Sequence, residues 1–344
     1  MINYMNIVLL NKEYKKLFDI LHYLLLKNHL HKSINCIYVY TTESDELNWI
    51  IKYFDLCKGD INIIYNYDEF NENNHLSDII FDESLIPNKK VLFTTCCTDN
   101  YVPGLKVLLK SCLKNIDNFD YDFKVFYNKD CQPLNDAHKQ ELLEIYSKLD
   151  FIGINDKDFK ITRKPKPIRL TKNCFLSHYF FKDYGYDYNV FLDSDMIVNR
   201  DFTFLFKYAH DFIGSYDIDE PGNKPNIWNI YNFNCNKRIN SGFMIIDKSY
   251  MGDDIFDKII ELTNNRKLKI HGDQCSTNYL IQNMKRRTVI PYYFNNQVRV
   301  CNKLKAEESY VAKYSYIYHY VGAIKPWMKD DNFSILEKEW LKYK

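Results

Sequence analysis

The sequence carries no surplus of either charge: 46 Lys and Arg residues face 45 Asp and Glu residues, a net charge of only +1. Proteins that bind the phosphate backbone of nucleic acids need a basic surplus, so we expect no nucleic acid partner. Long apolar runs are missing too, because the most apolar stretch, 21–26, is far too short to span a bilayer. We expect no transmembrane segment, and any membrane contact would be peripheral.

Paired cysteine motifs are also absent. None of the ten cysteines forms a CxxC pair, and their spacing is irregular. Most fall in apolar stretches, where a free cysteine behaves as a small hydrophobe. The N-terminus shows neither the charged start nor the long apolar core of a signal peptide. These features predict a reducing compartment, and we expect the protein to be cytoplasmic.

The size of the chain predicts two domains. It has 344 residues, of which 46% are hydrophobic, so a substantial core can be buried. In the first part, strands are predicted at 6–10, 35–40 and 61–65, and helices at 13–30 and 44–57. A polar stretch follows this β-α-β-α-β unit. We place the domain boundary there, with a small N-terminal α/β domain over 1–88 and a second domain over 89–344.

The second part again alternates strands and helices. Strands are predicted at 91–95 and 123–127, and helices at 102–115 and 135–149. Such alternation implies a mostly parallel sheet covered by helices on both faces. Ligands of these sheets bind beyond the carboxyl ends of the strands, which is where chemistry is expected.

The best local signal is an acidic pair at the end of an apolar strand, in the segment 188–198. Asp193 and Asp195 project from the same side, because side chains alternate along a strand. Two carboxylates this close repel one another unless a cation lies between them. A divalent metal would satisfy both and would stabilise charge on a leaving diphosphate. The alternative interpretation is a polar turn at a strand end.

A second signal lies more than a hundred residues downstream, in the segment 319–327. The neutral imidazole of His319 can supply a nitrogen ligand to the same metal. Gly322 lets the backbone turn or approach a ligand closely, and Lys325 can reach a phosphate as a point charge. Pro326 and Trp327 would fix the loop by stiffness and packing.

Taken together, these segments resemble glycosyltransferase family 8, the glycogenin and bacterial galactosyltransferase group. The resemblance covers roughly residues 91–328 and rests on five segments in the expected order: 94–101, 191–195, 240–247, 272–274 and 319–327. It implies a GT-A type, Rossmann-like α/β fold, a mostly parallel sheet flanked by helices. The N-terminal α/β domain lies outside the resemblance.

The resemblance also implies roles for individual residues. Asp193, Asp195 and His319 would bind Mn²⁺, with Ser194 between the two acids in the donor site. For the nucleotide, the ring of Tyr101 would stack on uracil, Thr98 and Asn100 would lie near the nucleoside, and Gly322 and Lys325 would contact the diphosphate. For the sugar, the corresponding residues are Asn240, Gly242, Asp273, Gln274 and Asp217. Family members carry a basic residue on the helix before the acidic pair. Lys172 is the candidate here, at a longer spacing to Asp193 than the family pattern implies.

The expected activity is transfer of glucose or galactose from a UDP-sugar to a hydroxyl acceptor, with retention of anomeric configuration. The acceptor would be a glycan or a glycosylated protein, including galactosyl-hydroxylysine. In one route Gln274 or Asp273 acts at the anomeric centre. In the other, which we favour because glutamine is a poor nucleophile, the acceptor attacks from the face that UDP leaves, and Lys325 stabilises the leaving group.

Two other functions stay open. A haloacid-dehalogenase-type phosphatase also places Asp-x-Asp after a strand, and Asp253 and Asp254 would imitate its second acidic pair. A non-catalytic nucleotide-sugar-binding protein would keep the site without the reaction. The N-terminal domain has three open roles: pairing with another subunit in a homodimer, positioning the acceptor, or packing on the catalytic domain.

Overall fold

The structure is a computed structural model, and it describes residues 5–10, 34–40, 62–66, 89–116, 120–165, 171–207, 212–217, 238–270, 272–282, 284, 287–290, 292–303, 312 and 315–344. The chain divides into two compact units, Met1–Pro87 and Asn88–Lys344. No helix among the described residues is both long and apolar enough to cross a bilayer.

The N-terminal unit contains a parallel sheet of three strands. The strands are β1 (Met5–Leu10), β2 (Ile34–Tyr40) and β3 (Asn62–Asn66), within a residue of the predicted positions. Their order in the sheet is β1-β2-β3. The helices predicted at 13–30 and 44–57 lie outside the described residues.

The second unit is built on a seven-stranded sheet. Its strands are β4 (Val91–Cys96), β5 (Tyr121–Asn128), β6 (Leu149–Ile154), β7 (Tyr188–Leu192), β9 (Phe212–Tyr216), β10 (Ile239–Asp247) and β11 (Arg287–Ile290). They are ordered β11-β9-β10-β7-β4-β5-β6, and β10 is antiparallel to both of its neighbours while the other pairs are parallel. The predicted mostly parallel α/β sheet is therefore confirmed.

A second, small sheet of the same unit contains β8 (Met196–Val198), β12 (Asn296–Gln297) and β13 (Ile317–His319). Its order is β12-β13-β8. The helices of the unit are α1 (Val102–Asn115), α2 (Asp136–Ile145), α3 (Asp253–Asn264), α4 (Asp273–Ile281), α5 (Val298–Lys303) and α6 (Glu337–Leu341). A 3₁₀ segment, Lys172–Phe181, precedes β7.

Helix α2 is shorter than its sequence pattern predicts. The side chain of Asn135 caps its start by accepting from the amide of His138 at 2.8 Å. The helix was expected to run to Leu149, but it ends at Ile145, and Leu149 begins β6. Leu142 and Leu149 are seven residues apart, a spacing that imitates helical periodicity although the second leucine packs in the sheet.

The site lies where strands of opposite direction meet. The carboxyl end of β7 faces the amino-terminal half of β10, and the amide of Asp193 donates to the carbonyl of Gly242 at 2.9 Å. The pairing of β10 with β9 shifts register between Asn240 and Met244. Such a bulge takes the strand out of regular pairing and redirects its side chains and amides.

Candidate active site

The acidic pair follows the buried strand β7 directly. Asp195 is 7% exposed, whereas the side chain of Asp193 is 39% exposed. Strand β8 begins at the next residue, Met196, and pairs with β13 so that His319 lies opposite Met196. The amide of Tyr320 donates to the carbonyl of Asp195 at 3.0 Å. Strand pairing therefore brings the distant histidine to the acidic pair.

The three predicted metal ligands meet at one point. Nε2 of His319 lies 3.4 Å from Oδ2 of Asp193 and 3.2 Å from Oδ1 of Asp195. One ligand atom from each residue lies within 4.8 Å of the other two, the spacing of groups that can share one metal ion. Among the described residues this is the one group of three His, Cys, Asp or Glu side chains so arranged.

The charges of this group stabilise one another. Burial alone would raise the pKa of Asp195, but Lys325 and His319 outweigh it and hold that pKa well below its usual range. Burial alone would lower the pKa of His319, yet the two carboxylates raise it to about 9. Without a metal ion, the carboxylates therefore take their counter-charge from a histidine proton and from Lys325.

The donor set suits a divalent cation such as Mn²⁺, which accepts carboxylate oxygens together with an imidazole nitrogen. Gly242 shows how closely the backbone approaches the ligands. A Cβ atom at this position would overlap with Cε1 of His319 and lie 2.7 Å from Cε of Met196. Only glycine fits there, because any side chain would displace the imidazole.

Lys325 completes this side of the cleft and is 3% exposed. Its Nζ donates to Oδ2 of Asp195 and, at 2.9 Å, to the carbonyl of Tyr320. It also lies 5.4 Å from the centroid of the Tyr101 ring, which meets Trp327 edge to face at 5.5 Å. We call Asp193, Asp195, His319 and Lys325 the metal wall.

Gly322 forms the turn between the histidine and the lysine. Its φ of +111° is a conformation that L side chains rarely adopt, so the turn requires glycine. Gly322 also lines the cleft, where its backbone can approach a ligand closely.

The opposite side is formed by the start of α4 and the bulge of β10. Oδ2 of Asp273 accepts from the hydroxyls of Ser177 at 3.1 Å and Ser241 at 3.0 Å. Burial and the charge of Asp193 raise the pKa of Asp273 to about 6. No Lys or Arg of the described residues forms an ion pair with this carboxyl group.

Amide side chains occupy the rest of this side. Gln274 accepts from Nδ2 of Asn240 at 3.1 Å and donates to Oδ2 of Asp217 at 2.7 Å. Asp217 is 5% exposed and also accepts from Gln297 at 3.2 Å. We call Asn240, Asp273 and Gln274 the amide wall.

The two walls enclose a cleft of about 650 Å³. Most of the predicted site residues line it: Thr98, Asn100, Tyr101, Asp193, Ser194, Asp195, Asn240, Asp273, Gln274, His319, Gly322 and Lys325. Gly242 and Asp217 lie directly behind this lining, against His319 and Gln274 respectively.

Lys172 is the predicted residue that the structure does not bring into the cleft. Its neighbours Thr171 and Asn173 line the cleft, together with Cys174 and Ser177. The segment is a 3₁₀ helix with three residues per turn, so positions 171, 174 and 177 share one face, 173 and 176 share a second, and 172 lies on the third. Ser177, which the sequence pattern did not indicate, contacts Asp273 instead.

The second acidic pair considered for a phosphatase lies elsewhere. Asp253 and Asp254 are exposed residues of the first turn of α3, and Asp253 pairs with Lys182 at 3.6 Å. Neither lines the cleft of the metal wall. Their position is that of acidic residues favoured by a helix N-terminus.

Comparisons with known proteins indicate a family. The sequence model of Glycosyl transferase family 8 matches residues 93–331, well over half of the chain. No curated protein sequence matches the chain.

Several solved glycosyltransferases have a similar fold. An active-site mutant of LgtC is 18% identical with a TM-score of 0.56, and the match covers 73% of this chain and 94% of that chain. The galactosyltransferase LgtC in complex with donor and acceptor sugar analogues has a TM-score of 0.52 at the same identity and coverage. The glycosyltransferase GlyE of Streptococcus pneumoniae TIGR4 has a TM-score of 0.51 at 19% identity, covering 74% of this chain and 60% of that chain. At these identities the likeness shows the GT-A fold.

Proposed function

The chain belongs to glycosyl transferase family 8, and on that premise we propose that it is a retaining, Mn²⁺-dependent hexosyltransferase. It would transfer glucose or galactose from a UDP-sugar to a hydroxyl group of a glycan or a glycosylated protein, including galactosyl-hydroxylysine. The observation that carries the proposal is the convergence of Asp193, Asp195 and His319 in one cleft with Lys325.

The metal wall supports the diphosphate part of this proposal. Asp193, Asp195 and His319 would hold Mn²⁺, which when bound supplies positive charge to the diphosphate of the leaving UDP. Lys325 is oriented by the Tyr320 carbonyl, so its ammonium group would act at a fixed position as negative charge grows on the leaving group. Tyr101, beside Lys325, would offer its ring to the uracil, with Thr98 and Asn100 near the nucleoside.

The amide wall supports the sugar part. Its cleft-lining groups are one carboxyl and two side-chain amides, which are suited to the neutral hydroxyl groups of a hexose. Gln274 is engaged on both of its ends, by Asn240 and by Asp217. A side chain held in this way is suited to orienting the sugar rather than attacking it. We therefore favour attack by the acceptor from the face that UDP leaves, with the leaving phosphate accepting its proton.

Family membership gives no support to the phosphatase alternative, and Asp253 and Asp254 lie outside the cleft. The non-catalytic alternative is decided by the same experiment as the proposal. UDP-glucose, UDP-galactose and other nucleotide sugars are screened with Mn²⁺ and a panel of glycan and glycopeptide acceptors, with UDP release as the readout. Acceptor-dependent UDP release with one UDP-hexose, abolished by chelator and yielding an α-glycoside by NMR, is expected. UDP binding without any transfer or hydrolysis would favour the non-catalytic protein.

Two further expectations belong to this proposal. None of the seven cysteines whose side chains the structure describes forms a disulfide, which supports a reducing compartment and hence a cytoplasmic enzyme, peripheral to a membrane where its acceptor is membrane-bound. The N-terminal unit is proposed to position the acceptor, to pack on the catalytic unit or to pair two copies of the chain. Light scattering of the full chain and of residues 88–344 would test the homodimer.

A further inference from the structure

A row of buried amide side chains leads from the amide wall to His319. Asn295, 0% exposed, donates from Nδ2 to Oδ1 of Asn240 at 2.9 Å and contacts Nδ1 of His319 through its Oδ1 at 2.9 Å. It is the residue behind the imidazole, on the side away from the two carboxylates. Asn295 does not line the cleft, so its influence would act through His319.

Each side-chain amide has two orientations, which differ by exchange of its oxygen and its NH₂ group. Contacts with backbone groups determine which orientation each one adopts. The amide of Gly242 is an obligatory donor, and it donates to Oδ1 of Asn240 at 3.0 Å. The oxygen of Asn240 therefore faces both Gly242 and Asn295. Asn295 must present its NH₂ group to that oxygen, which leaves its own oxygen facing His319.

Independent contacts fix the orientation at the other end of Asn240. The amide of Ser241 donates to Oε1 of Gln274 at 3.4 Å, and Nε2 of Gln274 donates to the carboxylate of Asp217 at 2.7 Å. Gln274 therefore turns its oxygen toward Asn240, whose NH₂ group donates to it at 3.1 Å. Two backbone amides and one carboxylate thus give the same orientation for every amide in the row.

The orientation of Asn295 determines whether one ring nitrogen of His319, Nδ1, carries a hydrogen. An amide oxygen accepts only a hydrogen, so Nδ1 of His319 must carry one. The remaining nitrogen, Nε2, is the atom that faces Asp193 and Asp195. Once a metal ion takes the place of its proton, Nε2 can offer a lone pair in that direction.

We propose that Asn295 is a positioning residue for the metal centre, which holds His319 in the Nδ1-protonated form with Nε2 directed at the cation. This rests on the proposed function, because it assumes that the metal wall binds a divalent ion. Hydrogen-bond partners of this kind orient metal-binding histidines in many proteins, and their loss typically weakens metal binding by about 10- to 100-fold. The same row connects the ligand of the metal with Gln274, which would face the donor sugar.

The test compares two neighbouring asparagines of equal burial. Asn295→Leu removes the acceptor of His319. Asn296→Leu is the matched control, because Asn296 is also 0% exposed and makes two side-chain hydrogen bonds, to Ser315 at 2.8 Å and from Tyr292 at 2.6 Å. The dissociation constant of Mn²⁺ alone is measured by electron paramagnetic resonance, and thermal unfolding is followed for each protein.

We expect both variants to lose thermal stability, but only Asn295→Leu to bind Mn²⁺ about 10- to 100-fold more weakly. A third variant, Asn295→Asp, keeps an acceptor for Nδ1 while setting its second oxygen against that of Asn240. It should bind Mn²⁺ more tightly than Asn295→Leu without being more stable. Equal Mn²⁺ affinity in wild type and Asn295→Leu, or equal weakening in both leucine variants, would overturn the proposal.

A measurement on the unmodified protein covers the case in which the variants fail to fold. In the Zn²⁺-loaded protein, which is diamagnetic, ¹⁵N NMR of the histidine rings should show His319 with a protonated Nδ1 and a metal-bound Nε2. A protonated Nε2 would contradict the inference alone. A wild-type protein that binds neither Mn²⁺ nor Zn²⁺ would instead remove the metal assignment of the proposed function, and this inference with it.

Discussion

The two sides of the cleft stabilise their buried polar groups in different ways. On the metal wall, Asp195 and Lys325 are both at least nine-tenths buried and are held as a charge pair with His319. On the amide wall, Gln274 is held by a neighbouring amide and a carboxylate, and Asp273 has hydroxyl partners instead of a cation.

The difference indicates two kinds of ligand. In a site of low dielectric constant, paired charges interact strongly with any charge that develops nearby. This property suits the binding of a diphosphate. Neutral amides in fixed orientations discriminate by hydrogen-bond geometry, which suits the hydroxyl groups of a sugar. Changes on the metal wall should therefore act through metal binding, and changes on the amide wall should act on the sugar with metal binding intact.

The largest expected effect comes from removing a charge of the metal wall. Asp195→Asn and Asp193→Asn should each lower turnover by about 10³-fold, because either change removes a carboxylate that we propose binds the cation. Their stabilities should differ, because only Asp195 is the partner of buried Lys325. We expect Asp195→Asn to cost about 3 kcal/mol of unfolding free energy and Asp193→Asn to cost little. Turnover with each UDP-sugar and urea unfolding in chelator would measure the two quantities.

Near-normal turnover in both variants would contradict the metal-site assignment. A loss of stability that is equal in the two would contradict the structural role given to the Lys325 pair. Circular dichroism of the metal-free variants serves as the control for folding.

A change in the amide wall should impair the reaction with the sugar donor without weakening metal binding. Gln274→Leu removes one hydrogen bond from Asp217 and one from Asn240, and we expect kcat/KM to fall by about 100-fold. Mn²⁺ affinity should stay within about twofold of wild type, because Gly242 still fixes Asn240 and hence Asn295. Steady-state kinetics and Mn²⁺ titration of the same preparation would decide this. Loss of Mn²⁺ binding in Gln274→Leu would show that the two walls are not separable.

The residues of both walls could be predicted from short sequence segments, whereas Asn295 and Ser177, which support them, could not. The acidic pair and the segment that starts at His319 are local patterns, in which the residues that matter are neighbours along the chain. The fold class followed from alternating strands and helices, and the helix predicted at 102–115 has the observed bounds of α1.

The contacts of Asn295 and Ser177 are of a different kind. Asn295 lies 24 residues before His319, and an asparagine in a run of amide residues after three aromatic residues gives no local signal. Its role depends on β12 and β13 being parallel neighbours, a pairing decided by tertiary contacts. Ser177 was missed for another reason, because the number of residues per turn in its segment decides which side chain reaches Asp273.

A smaller effect, on the free energy of unfolding, is expected when Asp273 is replaced. Its folded-state pKa of about 6 lies above the ordinary value of 3.8, so the folded protein binds this proton more tightly than the unfolded chain. The folded state therefore loses stability as pH rises from about 4 through 6, and it carries this cost at pH 7. Asp273→Asn should raise the unfolding free energy at pH 7 by about 1 kcal/mol while lowering turnover.

Urea unfolding in chelator at pH 7 and pH 4 tests this prediction. The gain should disappear at the lower pH, where the wild-type carboxyl is protonated in the folded state. It should also shrink in an Asp193→Asn background, because the charge of Asp193 is one of the causes of the raised pKa. A gain that is independent of pH would mean that charge at Asp273 is not the reason.

The smallest effect is expected at Lys172, and it bears on whether the amide wall contains a cation at all. The resemblance to the family predicted a basic donor contact on this segment, but position 172 lies on a face of the 3₁₀ helix away from the cleft. Lys172→Ala should therefore change the KM for the UDP-sugar by no more than about twofold. Lys182→Ala, in the same region but outside the cleft, is the matched control. A tenfold rise in KM for Lys172→Ala alone would mean that the segment turns when donor binds, bringing a cation to Asp273. The division of the cleft into one wall with paired charges and one wall without a cation would then hold only for the free enzyme.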